Sequence, residues 1–111
     1  MSNSLYTPLH LASEKGNVKV VMQLLDAGAH VSQADQDGAT PLHWAAAHDQ
    51  VEVAAVLMRH GASLSVKDAK GQSPVSLAQA YAEEQGGGSD VLELLKGLAR
   101  HERDGLRKSE L

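Results

Sequence analysis

Few side chains in this sequence could do chemistry, and their spacing decides of what kind. Six histidines, one tryptophan and a run of three glycines stand out, and cysteine is absent. A zinc-type site needs three or four converging ligands. Without cysteine there is no thiolate to act as metal ligand or nucleophile, and no disulfide framework. His10 and His43 invite a metal hypothesis first, yet they hold the same place in two copies of a matching sequence, Pro8-Leu9-His10 and Pro41-Leu42-His43. Residues that recur once per repeat sit one to a layer, so the period argues for a structural role and against convergence on one ion. His30, His48, His60 and His101 fall at unrelated phases and read as surface residues.

Nucleophilic and phosphate chemistry find no better support. No G-x-S-x-G elbow occurs, no serine has a matched base, and Ser13 beside Glu14 reads as a surface pair at a helix end. Gly86-Gly87-Gly88 has no Lys-Ser/Thr after it and no strand before it, so it reads as a linker and not as a phosphate loop. No paired carboxylates are evident. The expectation is a protein without catalytic residues, metal or cofactor. Trp44 stands where Leu11 and Leu77 stand in the other copies, which assigns it to the core or the floor of a groove ahead of a role as partner anchor.

The elements that hold these residues follow from the same repeat. Thr7-Pro8-Leu9-His10-Leu11-Ala12, Thr40-Pro41-Leu42-His43-Trp44-Ala45 and Ser73-Pro74-Val75-Ser76-Leu77-Ala78 follow one another at a constant interval, and Leu24/Leu57, Gly28/Gly61, Asp35/Asp68 and Gly38/Gly71 keep the same offset. Each copy opens with a helix start: a hydroxyl residue able to cap free amides, then proline at the first helical position. Gly16 and Asp49 end a short first helix, since glycine and, less readily, aspartate tolerate a left-handed turn. Asn17 and Asp49 are candidate caps for a second helix, and Asp49 with Glu52 forms a capping-box pattern. That second helix carries Val18, Val21, Met22, Leu24 and Leu25, or Val51, Val53, Val56, Leu57 and Met58, an apolar band too wide for a helix facing water on every other side. Gly28 and Gly61 stop it. Asp35-Gln36-Asp37-Gly38 and Asp68-Ala69-Lys70-Gly71 then carry turn chemistry. A lone helix pair cannot bury both faces, whereas stacked neighbours can.

The period, about 33 residues, and the Thr-Pro-Leu-His-x-Ala signature resemble the ankyrin-repeat family from about Leu5 to Ala99, most closely in the first two copies. The resemblance implies an all-α solenoid of three stacked helix–turn–helix units with projecting β-hairpin loops. Its repeats run over about 5–37, 38–70 and 71–101, in one domain spanning 1–101. It also implies that the signature histidine hydrogen-bonds loop backbone near the repeat boundary. The function implied is a non-catalytic module that binds a protein partner on a concave surface of loop tips and inner helices. The positions that vary among the copies map there: Gln36, Asp37 and Ala39 against Ala69, Lys70 and Gln72, then Glu14 and Lys15 against Ala47 and His48 and against Ala80 and Tyr81.

The chain departs from the pattern at both ends. Only six residues precede Thr7, and Leu5 stands in place of the turn glycine, so the first copy starts in mid-unit without an evident polar outer face. That apolar flank is either tolerated, or covered by another chain or by missing repeats; self-association or docking through it is the alternative function. The third copy carries some four extra residues, with Glu83 to Ser89 reading as a flexible connection and Asp90 with Glu93 as a capping box for a last helix over roughly 91–101. This copy suits a terminal cap. The charged segment 102–111 breaks at Gly105 and is expected to fray.

Composition bounds the partners. A chain of 111 residues suits one domain, and with Tyr6, Trp44 and Tyr81 as its only aromatics it must build its core from alanine, leucine and valine. A net charge of −4 carries no footprint for nucleic acid. Neither an export signal nor a run approaching 18 apolar residues is present. An intracellular protein of the cytoplasm or nucleus is expected, monomeric before oligomeric and without membrane contact.

Overall fold

The computed structural model describes residues 5–97. Helix α1 spans Pro8–Lys15, α2 Val18–Asp26, α3 Pro41–Ala47, α4 Val51–Arg59 and α5 Pro74–Glu84; α6 begins at residue 90 and runs to the end of the described range. The short inner helices α1, α3 and α5 pack in a row, and the outer helices lie behind them, α2 against both α1 and α4. This is the stacked helix-pair solenoid expected from the repeat. The segment 98–111, including the end of the last helix, His101 and the charged tail, lies outside the described residues.

The start signals work as their chemistry dictates. Thr7, Thr40 and Ser73 sit in extended backbone, and each hydroxyl accepts the amide three residues on, from His10, His43 and Ser76. Proline follows at the first helical position in all three. The core is thin and aliphatic: Leu9, Leu42, Leu57 and Leu95 are the largest fully buried apolar side chains, joined by Val21, Val53 and Val91 and by alanines between the inner helices. Ala45, Ala46 and Ala78 are completely buried, which allows neighbouring inner helices to approach closely.

Layers are also tied by the histidine hydrogen bonds that the resemblance implies. His10 Nδ1 faces the Thr7 amide at 3.0 Å, which fixes it as an acceptor, so Nε2–H donates to the Ala39 carbonyl at 3.0 Å in the next repeat. His43 repeats this, with its Nδ1 taking the Thr40 amide at 3.0 Å and its Nε2–H donating to Gln72 at 2.9 Å. Both rings are buried. The projecting loops contain no strand among the described residues; each tip is instead a tight turn, closed by Asp35 N–H to the Ala39 carbonyl at 2.8 Å and Asp68 N–H to that of Gln72 at 2.9 Å. One tip is bonded to the next through Ala69 N–H and the Asp37 carbonyl, 2.8 Å apart.

Four local expectations need correction. Ser13 is no surface residue: it is fully buried, and its hydroxyl donates to the Leu9 carbonyl at 2.7 Å, satisfied within its own helix. Asp49 does not cap α4, whose N-cap is Gln50 with no side-chain cap bond. Asp49 instead takes the left-handed φ of 55° that Gly16 takes at 76° in the first repeat, and its carboxylate points to the third repeat. The last helix is capped by Ser89, whose hydroxyl accepts the Leu92 amide at 3.1 Å, and not by Asp90. Finally, Glu83 and Glu84 belong to α5, so much of the extra length prolongs the inner helix and leaves only residues 85–89 as the connection. Two left-handed glycines, Gly86 at φ 84° and Gly87 at 104°, make that turn.

Candidate binding cleft between the loop tips

Asp35 organises the first projecting loop, residues 35–39. Its Oδ1 accepts the amides of Asp37 and Ala39, both at 2.9 Å, which holds the tip in its turn. Its Oδ2 accepts the Trp44 indole N–H at 3.1 Å, so the same carboxylate ties the loop to α3. Burial pushes the Asp35 carboxyl up, but the Ala39 amide, the Trp44 indole, the Asp37 amide and nearby His10 outweigh it and hold it below the ordinary carboxylate value. Asp68, at the same phase of the next repeat, accepts the Lys70 and Gln72 amides through Oδ1 at 2.9 Å each. There the likeness stops, because Leu77 stands where Trp44 stood and cannot donate.

Trp44 is half-buried and forms an aromatic group with its neighbours. Tyr6 meets it edge-on with ring centroids 5.2 Å apart, and the His48 ring lies parallel at 6.1 Å. Tyr6 also stacks on His10 at 5.3 Å, while its hydroxyl lies 3.5 Å from Glu14 Oε1. Burial, with the Glu14 carboxylate beside it, raises the Tyr6 phenol above its ordinary value. Burial likewise holds the His10 imidazole below the ordinary histidine value, against the opposing pull of the Ala39 carbonyl and Asp35.

Between the two projecting loops, 35–39 and 68–72, lies a cleft of about 340 Å³. Of the positions expected to bind a partner, Asp37, Ala39, Ala47, Ala69, Lys70 and Gln72 line it together. The others do not. Gln36 is at the exposed loop tip, Glu14 and Lys15 pair with each other at 3.7 Å at the end of α1, and His48 caps α3 beside Trp44. Ala80 and Tyr81 lie on α5, at the phase of Ala47 and His48 but one layer further along. The cleft adds Asp35, Trp44, Asp68 and Leu77, which the sequence assigns to turns, core or groove floor, and His43 from the repeat signature. Tyr6 is the residue that sequence reasoning missed; its only signal is its phase, which matches that of Ala39 one repeat later.

The described residues hold no group of three or more His, Asp or Glu able to bind a metal ion, and no helix among them is long and apolar enough to cross a membrane. His30, His48 and His60 are exposed, as their unrelated phases suggested.

A stack of helix pairs in which each pair packs on its neighbours defines a repeat protein of the solenoid class. The chain belongs to the ankyrin-repeat family: a family model described as ankyrin repeats, three copies, matches residues 2–68. A search of curated proteins returned no match. Ankyrin repeats generally act as protein–protein interaction modules and are typically non-catalytic.

Proposed function

We propose that this chain binds a protein partner without catalysis, on the concave surface formed by loop tips and inner helices. The observation that supports this reading is the convergence of Asp37, Ala39, Ala47, Ala69, Lys70 and Gln72 on one cleft, although they come from two loops and a helix end. Those side chains differ between repeats while the backbone beneath them repeats, which is what a rigid frame with adjustable contacts requires. Tyr81, His48 and Lys70 are the anchors, with Asp37 and Gln36 at the rim. Three repeats offer a short groove, so the interface is of standard size or smaller. An unbiased pull-down supplies the partner, and Tyr81→Ala, His48→Ala and Lys70→Ala combined, with helicity intact by circular dichroism, must abolish capture. Undiminished capture by that variant rejects the groove.

A second reading rests on the leading face of the first repeat. Pro8 is exposed where Pro41 and Pro74 are buried, and Leu24 and Ala29 are half-buried where Leu57 and Ala62 are buried. Pro8, Leu9, Leu24 and Ala29 line an apolar hollow of about 180 Å³, and Leu5, Leu11 and Met22 are the exposed large apolar residues of the described chain. Docking or self-association through this flank is the alternative. Light scattering over a concentration series tests it, since a concentration-independent monomer rules out self-association.

A further inference from the structure

The periodic copies of one carboxylate differ in what they are given to bind. Asp35 Oδ2 accepts a donor from Trp44, whereas Asp68 Oδ2 accepts none among the described residues, because Leu77 occupies the equivalent position. Asp35 is almost fully buried, but Asp68 is only half-buried and lines the cleft. Asp37, on the opposite wall, is exposed, and its carboxylate meets no donor or cation among the described residues. Trp44 lines the same cleft, half-buried. Lys70 reaches the same cleft and forms no ion pair there among the described residues.

We infer that this cleft receives an arginine side chain of the partner, donating to Asp68 Oδ2 and Asp37 while lying against the Trp44 indole. The inference rests on the groove reading and names the chemistry that the groove selects. A guanidinium is planar and carries several donors in a rigid fork, so it can serve two carboxylates at once, and it is attracted to an indole face. An apolar or acidic side chain would leave both carboxylates without a donor, and a neutral donor would supply hydrogen bonds without the charge that strengthens them. An acidic one would also meet repulsion from them, offset only by Lys70. For a single arginine Lys70 is a local repulsion, so its use as an anchor for the whole partner falls on a group beside the arginine.

The test uses the full chain labelled with ¹⁵N and three probes, acetyl-Gly-Arg-Gly-amide and its citrulline and glutamate counterparts. The arginine peptide is expected to shift the Trp44 indole N–H and the amides of Ala69, Lys70 and Gln72 saturably. Citrulline, which keeps the shape and loses the charge, binds at least about five-fold more weakly. Asp37→Asn and Asp68→Asn each weaken arginine binding about three- to ten-fold, while the loop amides keep an acceptor at residue 68. Lys70→Gln tightens it. Added salt weakens it. Equal response to citrulline, preference for glutamate, or no saturable shift at these resonances overturns the proposal. Hydrogen exchange on the complex with the captured partner separates this failure from that of the groove itself. Protection across the loops combined with capture indifferent to both Asn variants removes the arginine and leaves the groove; protection elsewhere removes both.

Discussion

Ser89 donates its hydroxyl to Asp49 Oδ1 at 2.7 Å, joining two residues 40 apart in the chain, and the same oxygen accepts the Val91 amide at 3.1 Å. Asp49 thus ends α3 in the left-handed region and satisfies a free amide at the start of α6 in the next repeat. Ser89 completes the cap from within, through its bond to the Leu92 amide.

Removing either half of that arrangement has a calculable effect. Asp49→Ala loses an N-terminal cap, at about 0.5–2 kcal/mol, and places alanine at φ 55°, at about 1 kcal/mol more. Asp49→Asn, which keeps an acceptor and tolerates the left-handed turn, costs less than about 1 kcal/mol. Urea unfolding of both variants orders them; equal midpoints would contradict the dual role.

The signature histidines are connectors between repeats, and the inner one should show it most. His43→Ala leaves the Thr40 amide and the Gln72 carbonyl without their partner in a buried setting and opens a cavity, for about 2–4 kcal/mol. A loss below about 1 kcal/mol in chemical denaturation would show that neighbouring groups replace the ring.

Acid should weaken the fold in two stages. The folded His10 imidazole lies below its ordinary 6.5. Between that depressed value and about 6.5 the unfolded chain therefore binds a proton that the fold excludes. Stability rises with pH across this window and is complete above it. The folded Asp35 carboxyl lies below its ordinary 3.8, so its contribution is present above that value and lost as pH falls further. Urea midpoints measured from neutral pH downward should decline in both windows, and His10→Ala, though less stable throughout, should lack the first decline. A flat profile in wild type between neutrality and pH of about 5 would refute the histidine stage.

Trp44→Phe preserves the ring but deletes the donor to Asp35 Oδ2. The loss of a hydrogen bond to a charged acceptor costs about 1.5–3 kcal/mol and raises the Asp35 carboxyl. Carboxyl ¹³C titration reads that shift directly. An unmoved Asp35 would mean that its two loop amides and nearby His10 set its acidity without the indole.

What the sequence determined by itself is whatever recurs locally. Hydroxyl caps, proline at the first helical turn, left-handed stops at Gly16 and Gly28 and the aliphatic bands on the second helices act within a few residues, and their constant period specified the stack. The connecting role of His10 and His43 was legible for the same reason, once the resemblance supplied the partner. The tertiary structure alone decided the contacts whose partners lie at no fixed offset. Asp49 was free to cap its own helix until the packing of α6 brought Ser89 to it, and Ser13 was an ordinary polar residue until α1 turned it inward. Likewise Tyr6, Trp44 and Asp35 are separate in sequence and become one contact group only when adjacent layers set their side chains in register. Local backbone preferences act over a turn or two of chain, whereas the cleft is made by the rise from one layer to the next.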